Sequence, residues 1–165
     1  DRNGCDVDRL RAAAVGGAVV RRSAMESGIP APRPGPLALA EVCALVLHTQ
    51  WRLQRSPLRR VLARLQAGRH IAFPVGDAPH APAEQRLCAA AAVYRRARLY
   101  VPVEMRCLLD SLALLRFLRR RQCHARLVFG VALDPFSAHC WVQADDLVLN
   151  DTVGNVHAHT PIRVV

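Results

Sequence analysis

The sequence predicts an α+β fold in which helices come first and an antiparallel sheet follows. Apolar residues recur at helical spacings of three and four up to about residue 121. From residue 125 onward the pattern changes to short runs typical of strands, separated by the turn residues Asp134-Pro135 and Asp145-Asp146. Helices followed by a sheet that is built from neighbouring strands are the signature of the α+β class.

Length and composition favour one domain with a large aliphatic core. The chain has 165 residues, of which 52% are hydrophobic but only 5% are aromatic. Its 23 basic residues are all Arg, and 13 acidic residues leave a net charge of +10. A surplus of this size favours acidic partners but does not identify one.

Cysteine usage and hydropathy predict a cytoplasmic protein with free thiols. The six Cys residues form no Cys-x-x-Cys pair, and no signal peptide opens the sequence. The longest apolar segment, residues 37–53, is slightly shorter than a membrane span and is interrupted by polar side chains. We therefore expect a buried core helix there and no transmembrane segment.

A proline-rich stretch predicts a domain boundary near residue 35. Four prolines fall within residues 30–36, and they make a stiff, extended linker. We assign residues 1–35 to an N-terminal segment with this linker, including a short helix at about 8–22, and residues 36–165 to the main domain. Within that domain we predict helices at about 37–53, 57–68, 83–99 and 104–121, a loop at 68–82, and strands at about 125–133, 138–143 and 147–151.

Cys107 is the first candidate for chemistry, because it lies near the start of a predicted helix. A helix N-terminus carries partial positive charge and unpaired N–H groups, which favour the thiolate and can bind an oxyanion. The helix also places Cys107 on the same face as the apolar Leu114 and Leu118, and so toward the sheet. From its position alone, the commoner interpretation of Cys107 is a small buried apolar residue.

His139 is the second candidate, in a strand where side chains alternate between the two faces. His139 and Trp141 share one face, while Cys140 and Val142 share the other. Neighbouring His139 and Cys140 therefore cannot both ligate a metal from a regular strand. We predict no metal site here.

Asp151 is the partner that His139 needs, provided that the connection between their strands has the right length. With a three-residue loop at 144–146, Asp151 lies directly opposite His139, with Cβ atoms about 5 Å apart. With a two-residue turn, Asp151 lies opposite Cys140 instead. We therefore predict a three-residue or bulged connection in which an Asp adopts the left-handed conformation.

These three residues together have the roles that acyl transfer requires. Cys107 attacks a carbonyl carbon, His139 accepts and returns a proton, and Asp151 fixes the tautomer and orientation of the imidazole. Tyr100 and Gln143 are weak candidates for a second oxyanion donor.

Five segments in the last sixty residues carry a family resemblance. They are CLLDSLAL beginning at Cys107, ARLVFGV beginning at Ala125, Pro135-Phe136, AHCWV beginning at Ala138, and VLND ending at Asp151. Together they resemble the leader peptidases of lasso-peptide biosynthesis, the B proteins, whose peptidase part is transglutaminase-like. The sequence departs from that pattern at Cys140, where other small residues are common, and at Asp145-Asp146, where a glycine-containing turn is typical.

The resemblance implies a papain-like core and a cysteine peptidase with Cys107, His139 and Asp151 as its triad. Such a peptidase removes the leader from a ribosomally synthesised precursor peptide in the bacterial cytoplasm, before a lasso cyclase forms the macrolactam. A leader-recognition domain acts in cis or in trans, and residues 1–35 are short enough to be only a remnant of one. Some members depend on ATP, although this sequence contains no phosphate-binding loop and no cofactor is expected within the chain.

Two other functions remain open from the residues alone. A transglutaminase or amidase would use the same triad with another acyl acceptor. A non-catalytic basic module would bind nucleic acid, but few aromatic residues accompany the arginines, so we expect no nucleic acid partner. We predict a solvated loop at His157 and His159 and buried thiols at three other cysteines, namely Cys43, Cys88 and Cys123.

Overall fold

The structure, a computed structural model, describes residues 20–28, 32–67 and 81–165. Most of the helix predicted at 8–22 and nearly all of the loop predicted at 68–82 lie outside these residues. The elements in chain order are β1 (Arg22–Ser23), α1 (Pro36–Arg55), α2 (Leu58–Ala67), α3 (Ala81–Arg98), α4 (Cys107–Arg119), β2 (Arg126–Leu133), β3 (Phe136–Ala144), β4 (Leu147–Val148), α5 (Val153–His157) and β5 (Thr160–Val164).

The α+β class is confirmed, since four helices precede four of the five strands. The strands form one sheet in the order β1-β4-β3-β2-β5. β2 pairs antiparallel with both β3 and β5, and β3 pairs antiparallel with β4. β1 was not predicted, and it joins the edge of the sheet parallel to β4.

The main core lies between the helices and one face of the sheet. α4 is the central helix, and it is buried along most of its length because apolar residues occupy nearly every position after its first turn. Its side chains pack with those of α1 and α3 and with Leu127, Cys140 and Val142 of the sheet. The opposite face carries a smaller cluster around Trp141, with Val20, Val128, Val148 and Val156.

α4 begins three residues later than the sequence predicts. Arg106 is its N-cap residue, and the carboxylate of Asp110 accepts a hydrogen bond from the N–H of Arg106 (2.9 Å). This bond satisfies the N–H of Arg106 without a helical carbonyl partner, so the residues before Cys107 need not be helical. The helix consequently starts at Cys107.

Part of the segment assigned to the N-terminal linker packs onto the main domain. Ala24 lies in the main core, and Val20 lies in the smaller cluster. Arg22 forms ion pairs with Glu84 of α3 (2.6 Å) and with Asp146 (2.9 Å). The division at residue 35 stays a prediction, but residues 20–24 belong to the same sheet and core as the residues that follow.

None of the described helices combines the length and the apolar character that a membrane crossing requires.

Gly130 is the point at which β2 approaches the Trp141 side chain most closely. A Cβ at this position would lie 2.8 and 2.9 Å from ring atoms of Trp141 and 3.0 Å from the Cβ of His159. The Trp141 side chain is fully buried, so its ring cannot move into solvent to make room for an added Cβ. We expect Gly130→Ala to lower the free energy of unfolding by about 1–3 kcal/mol through overpacking.

Urea denaturation measures this effect, and Gly154→Ala is the matched control. A Cβ at Gly154 would meet no atom within 4 Å. The control is expected to change stability by less than about 1 kcal/mol. Equal stability of the two variants would contradict the close approach at Gly130.

Candidate active site

Cys107 is the first residue of α4 and is exposed, although the helix is buried soon after it. The N-cap side chain of Arg106 makes no capping hydrogen bond. The first intrahelical bond runs from the N–H of Asp110 to the carbonyl of Arg106 (2.9 Å). The first turn of α4 therefore presents backbone N–H groups that no intrahelical carbonyl accepts, and such groups can bind an oxyanion.

A buried arginine fixes the segment that leads into Cys107. Arg98 is only 4% exposed, and its guanidinium donates to the Asp110 carboxylate. The Tyr94 hydroxyl donates to the carbonyl oxygen of Asp110 (3.2 Å). The guanidinium of Arg98 also donates to three carbonyl oxygens of the preceding loop, those of Val101 (3.2 Å), Val103 (2.9 Å) and Glu104 (3.1 Å).

A second polar link joins α4 to β3. The Ser111 hydroxyl, one turn after Cys107, donates to the carbonyl of Cys140 (3.2 Å). Asn150 donates to the Ser111 hydroxyl (2.9 Å) and accepts from the N–H of Val142 (2.8 Å). The start of α4 is thereby held beside Cys140, the residue that follows His139.

His139 lies in β3 with its ring enclosed by polar and aromatic neighbours. Its Nε2 contacts a carboxylate oxygen of Asp151. The ring stacks on Trp141, with centroids 6.1 Å apart, and is tilted against His159 at 5.2 Å. A carboxylate can only accept, so Nε2 carries the hydrogen and the neutral ring has its lone pair on Nδ1. That lone pair is the site of a general base.

Asp151 has all of its oxygen atoms engaged. Its carboxylate accepts from the N–H of Thr152 (2.8 Å) and from the Asn155 amide at both oxygens (3.0 and 2.9 Å), in addition to His139. Its carbonyl oxygen accepts from the Ser23 hydroxyl of β1 (2.5 Å). Four neighbours thus fix the side chain and backbone of this residue.

The predicted connection between β3 and β4 was wrong, although His139 and Asp151 do meet. The turn has two residues, Asp145 and Asp146, and Asp145 has the left-handed conformation with φ 50°. This register would place Asp151 opposite Cys140, but the ladder ends at Val148 and the chain bends at residues 149–151. The bend, supported by the Asn150 side chain, carries Asp151 to His139.

Cys107 is not hydrogen-bonded to His139 in the structure; its neighbour is Cys140. The two thiols contact each other, and burial together with the Cys107 sulfur raises the pKa of the Cys140 thiol. The structure therefore brings His139 and Asp151 together, and it places Cys107 against the residue that follows His139.

Two other predictions about side chains need correction. His159 lies in the connection between α5 and β5, as predicted, but it is half-buried and packs against His139. His157 is not in a loop, because it ends α5 and donates to the carbonyl of Val20 (3.0 Å). Gln143 accepts from the indole of Trp141 (3.0 Å) and donates to the Asp145 carbonyl (2.6 Å), so its amide is not available to an oxyanion. The other candidate, Tyr100, is exposed.

The other thiols differ in burial. Cys88 is buried, as predicted, while Cys43 and Cys123 are half-buried. Burial raises the pKa of Cys88 and of Cys123, which makes both of them poorer nucleophiles than an exposed thiol. Within the described ranges, no cluster of three or more His, Cys, Asp or Glu side chains is arranged to hold a metal ion.

The sequence analysis missed four residues of the site: Arg98, Asn150, Asn155 and His159. Each acts through a contact that is distant in sequence or that depends on the bend after β4. An Arg among 23 basic residues carries no individual signal. Thr152, a residue type that often caps a helix, and the spacing from Asp151 to Asn155 were indications of α5.

Of the comparisons with known proteins, one found a match. No curated protein and no solved structure matches the chain significantly. The family model of the transglutaminase-like superfamily matches residues 43–164, from within α1 to the end of β5. This span includes Cys107, His139 and Asp151 and the elements from α4 to β5. The chain therefore belongs to the transglutaminase-like superfamily.

Proposed function

We propose that this protein is a cysteine peptidase that removes the leader from a ribosomally synthesised lasso-peptide precursor, with Cys107, His139 and Asp151 as its catalytic triad. Members of the superfamily are generally cysteine peptidases or acyltransferases. The observation that carries the proposal is the contact between His139 Nε2 and Asp151, which leaves Nδ1 as a base. The exposed Cys107 at the start of α4 supports it.

The proposed reaction begins when His139 Nδ1 takes the proton of Cys107. The thiolate attacks the carbonyl carbon of the scissile bond, and N–H groups of the first turn of α4 bind the resulting oxyanion. His139 then gives its proton to the departing amine, and a thioester with Cys107 remains. Water attacks this thioester with His139 again acting as base, and the acid is released. Asp151 keeps the imidazole in the required tautomer throughout.

The lasso-peptide substrate and its partners follow from the sequence resemblance. The proposal assumes a papain-like core, a recognition domain in cis or in trans that presents the leader, and a lasso cyclase that uses the freed amine. It places the protein in the bacterial cytoplasm. The proposed dependence of leader removal on ATP also rests on the sequence resemblance.

Mass spectrometry of a lasso-precursor peptide, incubated with the protein and its recognition partner, tests the proposal. We expect hydrolysis at one leader–core bond, and a rate at least about 10³-fold lower for Cys107→Ala. Cys43→Ala is the matched control, since Cys43 is a half-buried thiol of α1. It is expected to cleave at the normal rate.

Product analysis separates the peptidase from other acyl transfers. Added primary amine would appear in the product of a transglutaminase, whereas a peptidase gives the free acid. Retained cleavage in Cys107→Ala, or preferential alkylation of Cys43 or Cys88, would contradict the assignment of Cys107.

A further inference from the structure

The His139 ring is bounded on more than one side, and His159 supplies one of these contacts. The His159 ring is tilted by 42° against His139, with centroids 5.2 Å apart. Trp141 stacks on His139 at an interplanar angle of 26°, and Asp151 contacts its Nε2. The imidazole is therefore confined by two rings, by the Asp151 carboxylate and by the Asn155 amide nitrogen, which lies 3.4 Å from Nε2.

Both nitrogens of His159 have hydrogen-bond partners that fix the orientation of the ring. A carbonyl oxygen can only accept, so Nδ1 donates to the Asn155 carbonyl (2.9 Å). In the neutral ring Nε2 is then an acceptor, and the Ser137 hydroxyl donates to it (3.1 Å). In the neutral ring these two bonds select the Nδ1–H tautomer.

The partners of His159 belong to the segments that carry the triad. Ser137 lies two residues before His139 in β3, on the same face of the strand. Asn155, whose carbonyl holds His159, donates through its side chain to both carboxylate oxygens of Asp151. His159 consequently connects the strand of His139 to the helix that holds Asp151.

The backbone of His159 is closely packed as well. Gly130 pairs with His139 in the sheet, and a Cβ on Gly130 would lie 3.0 Å from the Cβ of His159. A side chain at position 130 would displace His159 from His139. The glycine therefore provides the space in which the two histidines meet.

We propose that His159 is a positioning residue for His139, holding its imidazole with Nε2 on Asp151 and Nδ1 free to take the proton of the nucleophile. The inference rests on the proposed function, because it assigns His159 a role in that same triad. The ring of His159 restricts rotation of the His139 imidazole, and hydrogen bonds to Ser137 and Asn155 fix the His159 ring in that position.

Alkylation of Cys107 by iodoacetamide, followed across pH by peptide mass mapping, tests this role without a substrate. His159→Gln can replace both hydrogen bonds but not the ring. We expect the pH midpoint of alkylation to rise by about one unit, with about a tenfold slower reaction at pH 6.5. His159→Phe restores the ring and is expected to recover the rate to within about threefold of the unmodified protein.

His157→Gln is the matched control, since its amide can still donate to the Val20 carbonyl and it lies two residues away. It is expected to leave the profile unchanged. An unchanged profile in His159→Gln, or an equal shift in His157→Gln, would overturn the inference. If His159→Gln does not fold, His159→Ser is the second variant that removes the ring, and a normal midpoint in that variant would overturn the inference.

The proposed function fails in a different way. If His139→Ala leaves the alkylation of Cys107 unchanged, the assignment of the triad is contradicted. The proposed role of His159 is then contradicted too. If His139→Ala slows alkylation while His159→Gln does not, only the role of His159 is wrong.

Discussion

Asp151→Asn is expected to lower the rate of precursor cleavage by about 10³–10⁴-fold with little change in the fold. The reason is the set of donors around the carboxylate. One oxygen accepts from the backbone N–H of Thr152, which cannot reverse its role, and from Asn155. An Asn at position 151 must keep its own oxygen on that side.

The amide nitrogen of the new Asn then faces His139. It donates to Nε2, so the hydrogen of the neutral imidazole moves to Nδ1. Nδ1 is the atom that has to accept the proton of Cys107 in the proposed reaction. The substitution thus removes the base by reversing the tautomer, even though the two side chains still touch.

Single-turnover cleavage and Cys107 alkylation, measured on the same protein samples, check this result. Asp145→Asn is the matched control, because the left-handed conformation at Asp145 suits Asn equally well. The control should cleave at the normal rate. Near-normal activity in Asp151→Asn would show that the carboxylate does not set the tautomer of His139.

Arg98→Met is expected to lower the free energy of unfolding by about 3–5 kcal/mol. The substitution leaves the Asp110 carboxylate without its guanidinium partner in a partly buried site. It also removes the donor for three carbonyl oxygens of the loop before α4. The loss of a buried charge partner is costly because the remaining charge cannot be solvated.

Chemical denaturation measures this loss, and Arg96→Met provides the comparison, because Arg96 is exposed on the same helix. The control is expected to change stability by less than about 0.5 kcal/mol. The double variant Arg98→Met/Asp110→Asn should recover part of the loss, since no charge is then left unpaired. Equal stability of Arg98→Met and Arg96→Met would contradict the structural role of the ion pair.

Local patterns predicted the helices and the two long strands well, because each repeats over many residues. α1 and α4 have dense apolar spacing, and all of their ends lie within three residues of the predicted positions. β2 and β3 are bounded by turn residues. Tertiary contacts then change only the residues at which such helices and strands begin and end.

The short elements could not be predicted in this way. β1 has two residues, and β5 contains Pro161, a residue that weakens a strand signal. The turn at Asp145-Asp146 is compatible with two loop lengths, and the ladder ends where the Asn150 side chain replaces a backbone partner of Val142. That replacement depends on Ser111, 39 residues away in sequence.

Candidate site residues were easier to identify than their arrangement. Cys107, His139 and Asp151 have chemically distinctive side chains at recognisable places in the pattern. The position of His159 against His139 depends on α5 and on the missing side chain at Gly130. Packing of this kind leaves no periodic signal.

The pairing of β1 with β4 bears on where the chain can be cut. Ser23 in β1 donates to the carbonyl oxygen of Asp151, and Glu26 accepts from the N–H of Val153 (3.3 Å). A truncated protein that begins at residue 36, where composition suggests a boundary, would lose an edge strand and both of these bonds. Any tag or fused module is therefore better joined upstream of residue 20, because Ser23 and Glu26 hold the loop that carries Asp151.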